Sequence, residues 1–563
     1  MFQLRRAPVI GVALTTKGRR RSTVTLGYNY YFPYSGNNER PSQNCTKSTY
    51  CQGVAANRQI LKRLGVNAVK ILLASSEVVP FAKTGGLADV CGSLPIELQR
   101  LGHQVTVIMP AYRCAKNCGQ EIHDTGVDFD VPIGSHVVSG RYWKSQLPNS
   151  DVPVYLVDQP HYFDRNELYW EDGRDYKDNC ERFVFFNRAV MESIRLLALE
   201  VDLIHANDWQ TGLIPALKHI DYENATGYEH IATLLTIHNM AYQGQFWHWD
   251  MLLTGLDWKY FNWQQMEYYG DLNLLKTGVA FADSLNTVSP QYALEIQSSP
   301  LGCGLEGVLS HRSDVLSGII NGVDYERWHP AVDTKIAQTY NANHWRAGKA
   351  ACKADLQRSM GLPVEADTPL IGIVGRLADQ KGLDLIAQIM PDWTASRNVQ
   401  WAILGTGDPK YHQLLQEVSD NSPHKVAVKL EFSDDLAHQV EAGADMFLMP
   451  SRYEPCGLNQ LYSLKYGTVP VVHHTGGLAD TITNVTAETL AQQVATGFVF
   501  DRYETGALDH ALTRACDLYT NDQKTWEQIV KTGMNQDWSW TESARKYIEL
   551  YETTIQRAST VCA

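Results

Sequence analysis

The chain contains no GxSxG turn, no Walker A loop and no run of about 18 apolar residues. The first absence removes the nucleophile elbow of an α/β-hydrolase. The second removes a P-loop, and the third a transmembrane helix. The first glycine loop also lacks GxGxxG, which weakens a dinucleotide-binding reading. Eleven cysteines are scattered without a CxxC pair, although Cys45 and Cys51, and Cys114 and Cys118, lie close together. Metal-ligand spacing is therefore missing, and so large a chain has little need of a disulfide framework. No excess of positive charge exists: the net charge is -13. That argues against nonspecific nucleic-acid binding and says nothing about a neutral polymer. Tandem short repeats and low-complexity tracts are also absent.

What is present is a globular composition, 44% apolar and 20% charged, over 563 residues. That length exceeds one core and predicts two or three domains. Fourteen Trp and 28 Tyr are available for core packing or for stacking on sugar rings. Short apolar runs alternate with helix-like stretches such as Asp178–Leu199. Runs at Val69–Ser75, Gln104–Met109, Val152–Val157, Leu203–Ala206, Ala232–Ile237 and Ser284–Val288 form one series. Leu370–Val374, Gln400–Leu404, Ala427–Glu431, Met446–Met449 and Thr468–Val472 form a second. The rhythm is that of parallel sheets covered by helices. It predicts an α/β protein of two doubly wound, Rossmann-like domains facing across a cleft, with Tyr325–Asp367 joining them. A last helix near Thr541–Thr553 would return to the first domain.

The chemistry lies at the strand ends, where such folds bind ligands. Lys83-Thr84-Gly85-Gly86-Leu87-Ala88-Asp89 stands between a strand and the helix-like run Val90–Arg100. Adjacent glycines permit close approach of backbone to ligand, and the helix start offers N–H groups to an anion. Thr475-Gly476-Gly477-Leu478-Ala479-Asp480 repeats the pattern. Arg376 and Lys381, five residues apart after a buried strand, suit a diphosphate leaving group. Glu454, in Arg452-Tyr453-Glu454-Pro455-Cys456-Gly457, reads either as a charge at a helix start or as a carboxylate aimed into the cleft. His205–Gln210 and Thr236–Asn239 end two further strands, and Asp208 and Asn239 could hold hydroxyls.

The N-terminus differs from the rest. Residues 1–70 carry twelve Lys or Arg and one acid, Glu39. This basic, acid-poor segment resembles an organelle transit peptide, the alternatives being a disordered tail or a misassigned start. A plastid destination is expected on that reading, and a cytoplasmic one otherwise. The predicted divisions are an extension over 1–66, a first domain over 67–324, a linker and second domain over 325–540, and a terminal helix over 541–563.

From Val69 to Tyr551 the sequence resembles the ADP-glucose-dependent glycogen and starch synthases. The resemblance rests on KTGGLADV, HANDW, IHNMAYQG, GIINGVD, GRLADQKG, PSRYEPCGLNQLYSLKYG and HTGGLADT. It implies a GT-B fold that binds ADP-glucose between the domains. Glucose would pass, with retention, to the nonreducing end of an α-1,4-glucan, with no cofactor, no metal and no membrane or nucleic-acid partner. Lys83, Gly85, Gly86 and Asp89 would serve the nucleotide from the first domain. Arg376 and Lys381 would bind the diphosphate from the second. Glu454 would meet the transferred glucose near Cys456 and Gly457, with Thr475, Gly476 and Gly477 adding to the phosphate or sugar site. His238 would support the donor sugar at reaction. Asp208, Trp209, Asn239 and Asn321 resemble donor or acceptor contacts, and Tyr176 and Asp178 acceptor-side residues. Family members often carry His where this chain has Gln210, which can hydrogen-bond but cannot titrate near neutrality. A UDP-glucose-dependent transferase and a noncatalytic glucan-binding scaffold are the competing readings. Lys83, Arg376, Lys381 and Glu454 argue against the scaffold. Oligomeric state is not readable from the sequence.

Overall fold

The computed structural model describes residues 68–561. The predicted extension, residues 1–66, with Cys45 and Cys51, lies outside the described residues. The strands of the first sheet are β1 (Lys70–Ala74), β2 (Gln104–Pro110), β3 (His123–Ile133), β4 (His136–Gln146), β5 (Pro153–Asp158), β6 (Leu203–Asn207), β7 (Ala232–Ile237), β8 (Ser284–Thr287) and β9 (Leu316–Gly318). They lie in the order β9-β8-β7-β6-β1-β2-β5-β4-β3, parallel except where β4 runs against β5 and β3. In the centre Leu72 pairs with Thr106 on one side and Ile204 on the other. β6 and β7 are buried along their whole length, so their sequences show no period-2 alternation with solvent.

The second sheet comprises β10 (Leu370–Val374), β11 (Gln400–Leu404), β12 (Val426–Lys429), β13 (Met446–Met449), β14 (Val469–His473) and β15 (Phe498–Phe500), ordered β12-β11-β10-β13-β14-β15 and all parallel. This is the doubly wound order in which the winding direction reverses between the first and fourth strands, opening a crevice at their carboxyl ends. The loop that follows β10 carries Arg376 and Lys381, and the loop that follows β13 carries Glu454. In the first sheet the reversal falls between β1 and β6. The loops following those strands carry Lys83–Asp89 and Asp208–Gln210. Topology alone therefore brings the predicted motifs to two switch points.

Helices connect the strands. Those used below are α1 (Gly86–Arg100), α2 (Asn179–Leu196), α3 (Pro290–Glu295), α4 (Trp345–Met360), α5 (Gly476–Thr481) and α6 (Trp540–Val561). α4, within the segment read as a joining stretch, is built into the second core. Trp345 and Cys352 pack there, and buried Lys353 holds Asp445 at 2.7 Å. α6 buries Trp540, Ala544, Tyr547 and Tyr551 in the first core. The Tyr551 hydroxyl meets His205 Nδ1 at 3.0 Å. A further apolar cluster joins Val288, Ile320 and Val323 to Cys456, Leu461 and Leu478, so the two sheets share packed side chains beside the strand ends.

The β3–β4 hairpin was not foreseen. The buried positions of β3 are Phe129, Val131 and Ile133, between exposed positions that include Asp128 and Asp130. Alternation diluted by acids reads as loop. β9 and β15, three residues each, are too short to leave a period-2 signal.

Candidate active site

The first glycine pair sits in open space. Thr84, Gly85 and Gly86 are exposed, and a Cβ built on either glycine meets nothing within 4 Å. Gly85 has φ of -152°, which any residue adopts. Neither the fold nor the backbone conformation asks for glycine here, and a group from outside the chain has room to approach the backbone. Lys83 Nζ pairs with Asp89 at 2.7 Å. Buried Glu77, which sequence reasoning missed, organises the loop from beneath. It accepts from the Thr84 and Gly85 amides at 2.5 and 3.2 Å and from Thr84 Oγ1 at 2.6 Å. Tyr169 Oη donates to the same carboxylate at 2.8 Å. The expected anion-binding amides are therefore partly spent on an internal carboxylate.

The second glycine pair differs. A Cβ on Gly476 (φ 44°) would come within 2.0 Å of the Glu454 carbonyl oxygen, and one on Gly477 within 2.0 Å of that of Cys456. Gly477 N donates to the Glu454 carbonyl at 3.1 Å. Gly476 N donates to Glu295 at 3.1 Å. These amides, expected at a phosphate or sugar, are used inside the protein, and the pair fits the glycine backbone against the Glu454 loop. Glu295 ends α3, and Asp480 of α5 in turn accepts from Gln291 N at the start of α3 at 2.8 Å. Each helix thus has its N-terminal amide satisfied by a carboxylate from the other domain.

Beyond the first loop, β6 and β7 present a buried polar cluster. Asn207 Nδ2 donates to the Ala74 and His205 carbonyls, which fixes its Oδ1 as acceptor for His238 Nε2–H at 2.9 Å. Burial lowers the His238 imidazole to about 3, so it is uncharged near neutrality. His205 is lowered to about 3 by burial and held between Tyr551 and Thr236. It locks α6 to the sheet. Asp208 has φ 57° and ψ -172°, a region costly for a residue with a Cβ. Its amide donates to Thr236 O at 2.9 Å, and its Oδ1 accepts from His238 N at 2.7 Å, which together hold it there. Burial raises the Asp208 carboxyl to about 7.

That shift has a measurable sign. The folded state keeps a proton that the unfolded chain has released, so stability falls as pH rises from about 4 towards 7 and is level above. The whole effect is at most about 4 kcal/mol for three pH units. Asp208→Asn is expected to remove this slope. Its melting temperature relative to wild type should be higher at pH 8 than at pH 5, and a pH-independent difference in thermal melts would contradict the assignment.

Trp209 packs edge-on to Phe183 at 4.8 Å and against Phe246 at 5.6 Å. Gly244, with φ 62°, lets the chain pass the indole: a Cβ there would lie 2.4 Å from it. Asn239 Oδ1 accepts from the Ala241 amide, turning the chain. Tyr176 stacks on Arg165 at 4.5 Å, and Arg165 Nη1 donates to Asp178 at 2.8 Å. Those two predicted residues are thus gathered by a third, Arg165. Gln210 Oε1 and Asn321 Oδ1 are buried without a hydrogen-bond partner among the described residues.

The second domain supplies the charged half. Lys381 Nζ meets Glu454 Oε2 at 2.5 Å, and Ser451 Oγ donates to the same oxygen at 3.0 Å. The Glu454 side chain is 8% exposed and that of Lys381 29%. Arg376 is exposed and touches Gln380 Oε1 at 2.9 Å. Arg452 N donates to Gln380 O, tying the two loops together. Buried Cys456 is raised to about 12 by desolvation, which makes its thiol a neutral wall group rather than a nucleophile. Gly457 has φ 71° and opens the following helix.

Known proteins resemble this chain in sequence and fold. Residues 70–311 match the family described as Starch synthase catalytic domain, and residues 361–534 match Glycosyl transferases group 1. A glycogen synthase of Rhodopirellula baltica is 47% identical over 497 residues, covering 86% of this chain and 98% of that protein. One from Syntrophotalea carbinolica is 44% identical, covering 87% and 99%. The catalytic domain of starch synthase IV from Arabidopsis thaliana, bound to ADP and acarbose, superposes with a TM-score of 0.79 at 30% identity, covering 87% of this chain and all of that one. A sucrose-phosphate synthase from Thermosynechococcus elongatus, 17% identical with a TM-score of 0.51, shares the fold alone. Two doubly wound sheets meeting at their switch points are the GT-B fold, and with these likenesses the chain belongs to the glycogen and starch synthase family of glycosyltransferases.

Proposed function

We propose that the protein transfers glucose from ADP-glucose to the nonreducing end of an α-1,4-glucan with retention of configuration. The observation that carries this reading is the pairing of Lys381 with Glu454 at one switch point, together with the empty glycine loop at the other. Arg376 and Lys381 neutralise the departing diphosphate, and Gly85 and Gly86 admit it next to backbone. Glu454 receives the glucose hydroxyls. Trp209, Tyr176 and Asp178 border the acceptor.

The chain's own groups limit the mechanism. His238 is uncharged and so is no imidazolium acid near pH 7, and the Cys456 thiol keeps its proton and so is no thiolate nucleophile. A front-face exchange balances without them. The bond from C1 to the β-phosphate oxygen breaks, and the acceptor oxygen bonds to C1 on the same face. The acceptor proton leaves with the diphosphate. The protein then acts by positioning and by electrostatics. Closure of the two domains would keep water from the donor.

The test is incorporation of glucose into glycogen from ADP-glucose and from UDP-glucose, by the full chain and by a chain lacking residues 1–66. Turnover at least about tenfold higher with ADP-glucose is expected. Preference for UDP-glucose would move the chain to the competing transferase reading, and binding without transfer to the scaffold reading. The basic N-terminal composition supports a plastid address, although the relatives named above from Rhodopirellula and Syntrophotalea are bacterial. Import with cleavage in isolated plastids is the expected result, and failure to import leaves the cytoplasmic alternative.

The empty loop yields its own prediction. Gly86→Ala should leave the melting temperature unchanged or slightly higher, since the new methyl touches nothing and alanine favours a helix start by about 1 kcal/mol. The donor KM should rise about tenfold if the diphosphate packs on that backbone. An unchanged KM would return the loop to an ordinary turn.

A further inference from the structure

Exposed aromatic side chains are concentrated in one stretch. Tyr242, Trp247, Trp249, Trp258, Trp263 and Tyr269 all fall between residues 242 and 269, whereas among the described residues of the second domain only Phe432 is comparable. Large aromatics left in water are costly and mark binding surfaces.

The stretch is not a loose loop. A 3₁₀ turn at His248–Asp250 runs into the helical turn Met251–Thr254, and Met251, Thr254 and Leu256 are buried beneath. The Arg188 guanidinium grips the Thr254 carbonyl from α2. Asp257 then caps the turn Trp258–Tyr260 by accepting from Lys259 N at 2.8 Å. Three indoles ride on this base. Trp247 and Trp249 lie 6.4 Å apart with planes at 67°, and Trp249 and Trp258 5.5 Å apart at 74°. The line continues inward, because Phe246, next to Trp247, packs against Trp209, whose neighbour Asp208 belongs to the active-site cluster.

We propose that this aromatic platform is a second glucan-binding site, which holds the acceptor polymer outside the cleft by stacking on its sugar rings. The inference rests on the glucan-elongating reading above. Pyranose rings present flat C–H faces that stack on indoles. Rings tilted steeply to one another cannot be covered at once by a flat protein surface, but a curved chain of rigid sugars meets each in turn. Rigid tryptophans also lose little conformational entropy on binding. Of the exposed side chains in this stretch only Leu252 is aliphatic, which is unlike a protein-docking patch.

The test uses the full chain carrying Trp247→Ala with Trp249→Ala, and a second protein carrying Trp247→Tyr with Trp249→Tyr. Retardation in gels containing glycogen reads binding without any donor. The alanine protein should bind glycogen at least about fivefold more weakly, and its KM for glycogen should rise in proportion. Its KM for ADP-glucose and its turnover at saturating acceptor should stay within about twofold, since the platform would meet the polymer and not the donor. The tyrosine protein should retain most of the affinity, which separates loss of rings from loss of folding. Undiminished retardation of the alanine protein would overturn the inference. So would a change of oligomeric state in sedimentation, which would make the patch a contact between protein chains. Wild-type protein that is retarded by glycogen yet transfers no glucose would refute the catalytic reading while leaving the platform in place.

Discussion

Lys381→Ala is expected to reduce turnover at least about a hundredfold at saturating donor, because a charge contact to a leaving group in a water-poor site is worth roughly 3 kcal/mol or more. Before substrate arrives, Lys381 is paired with Glu454 at 2.5 Å. The cation is therefore held at the end of β13 by a carboxylate rather than swinging in solvent. Its loss has two consequences. The leaving group loses a counter-charge, and Glu454 keeps only Ser451 among the side-chain partners described above. Breaking a buried pair on one side costs about 3–5 kcal/mol of stability where burial is complete, and less here because Lys381 is partly exposed. Turnover should therefore be compared with melting temperature. A large fall in turnover with a small fall in melting temperature supports the leaving-group role. Equal turnover to wild type at saturating donor would remove Lys381 from the chemistry.

The central strands and the motifs at their ends were legible because parallel strands buried on both faces read as unbroken apolar runs. Leu370–Val374 and Met446–Met449 were placed to the residue. Once two such series were recognised, the switch points followed, and with them the loops carrying Lys83, Asp208, Arg376 and Glu454. What stayed hidden depended on partners distant in sequence or on empty space. Glu77 has no local signature, and its use is visible only when Thr84, Gly85 and Tyr169 are seen around it. Glu295 lies 181 residues from the amide it accepts from. The two glycine pairs look alike in sequence. Only the surroundings distinguish a pair with vacant space above it from a pair pressed against the Glu454 and Cys456 carbonyls. Gln210 likewise could be placed only by its surroundings: it is buried, with its side-chain oxygen unpartnered among the described residues.

Glu454→Gln is expected to lower turnover by about tenfold to a thousandfold, with a modest change in donor affinity, the usual scale for one preorganised electrostatic contact. The substitution keeps the size of the side chain, and its amide oxygen can still accept from Ser451 Oγ. It removes the charge that faces Lys381. If the carboxylate answers positive charge on the sugar as the bond to phosphate stretches, the loss belongs to the transition state and appears in turnover rather than in KM. The ion pair adds a second route to the same phenotype. Without the carboxylate, Lys381 loses its partner and can shift toward the diphosphate, tightening donor binding while misplacing the leaving group. The two routes are separated by the double variant Lys381→Ala with Glu454→Gln. If Glu454 acts only by holding Lys381, the double variant should be no slower than Lys381→Ala alone. If it acts on the sugar, the two losses should compound. Turnover of Glu454→Gln equal to wild type, with folding verified by circular dichroism, would leave Glu454 as a residue that orients hydroxyls and carries no electrostatic share of the reaction.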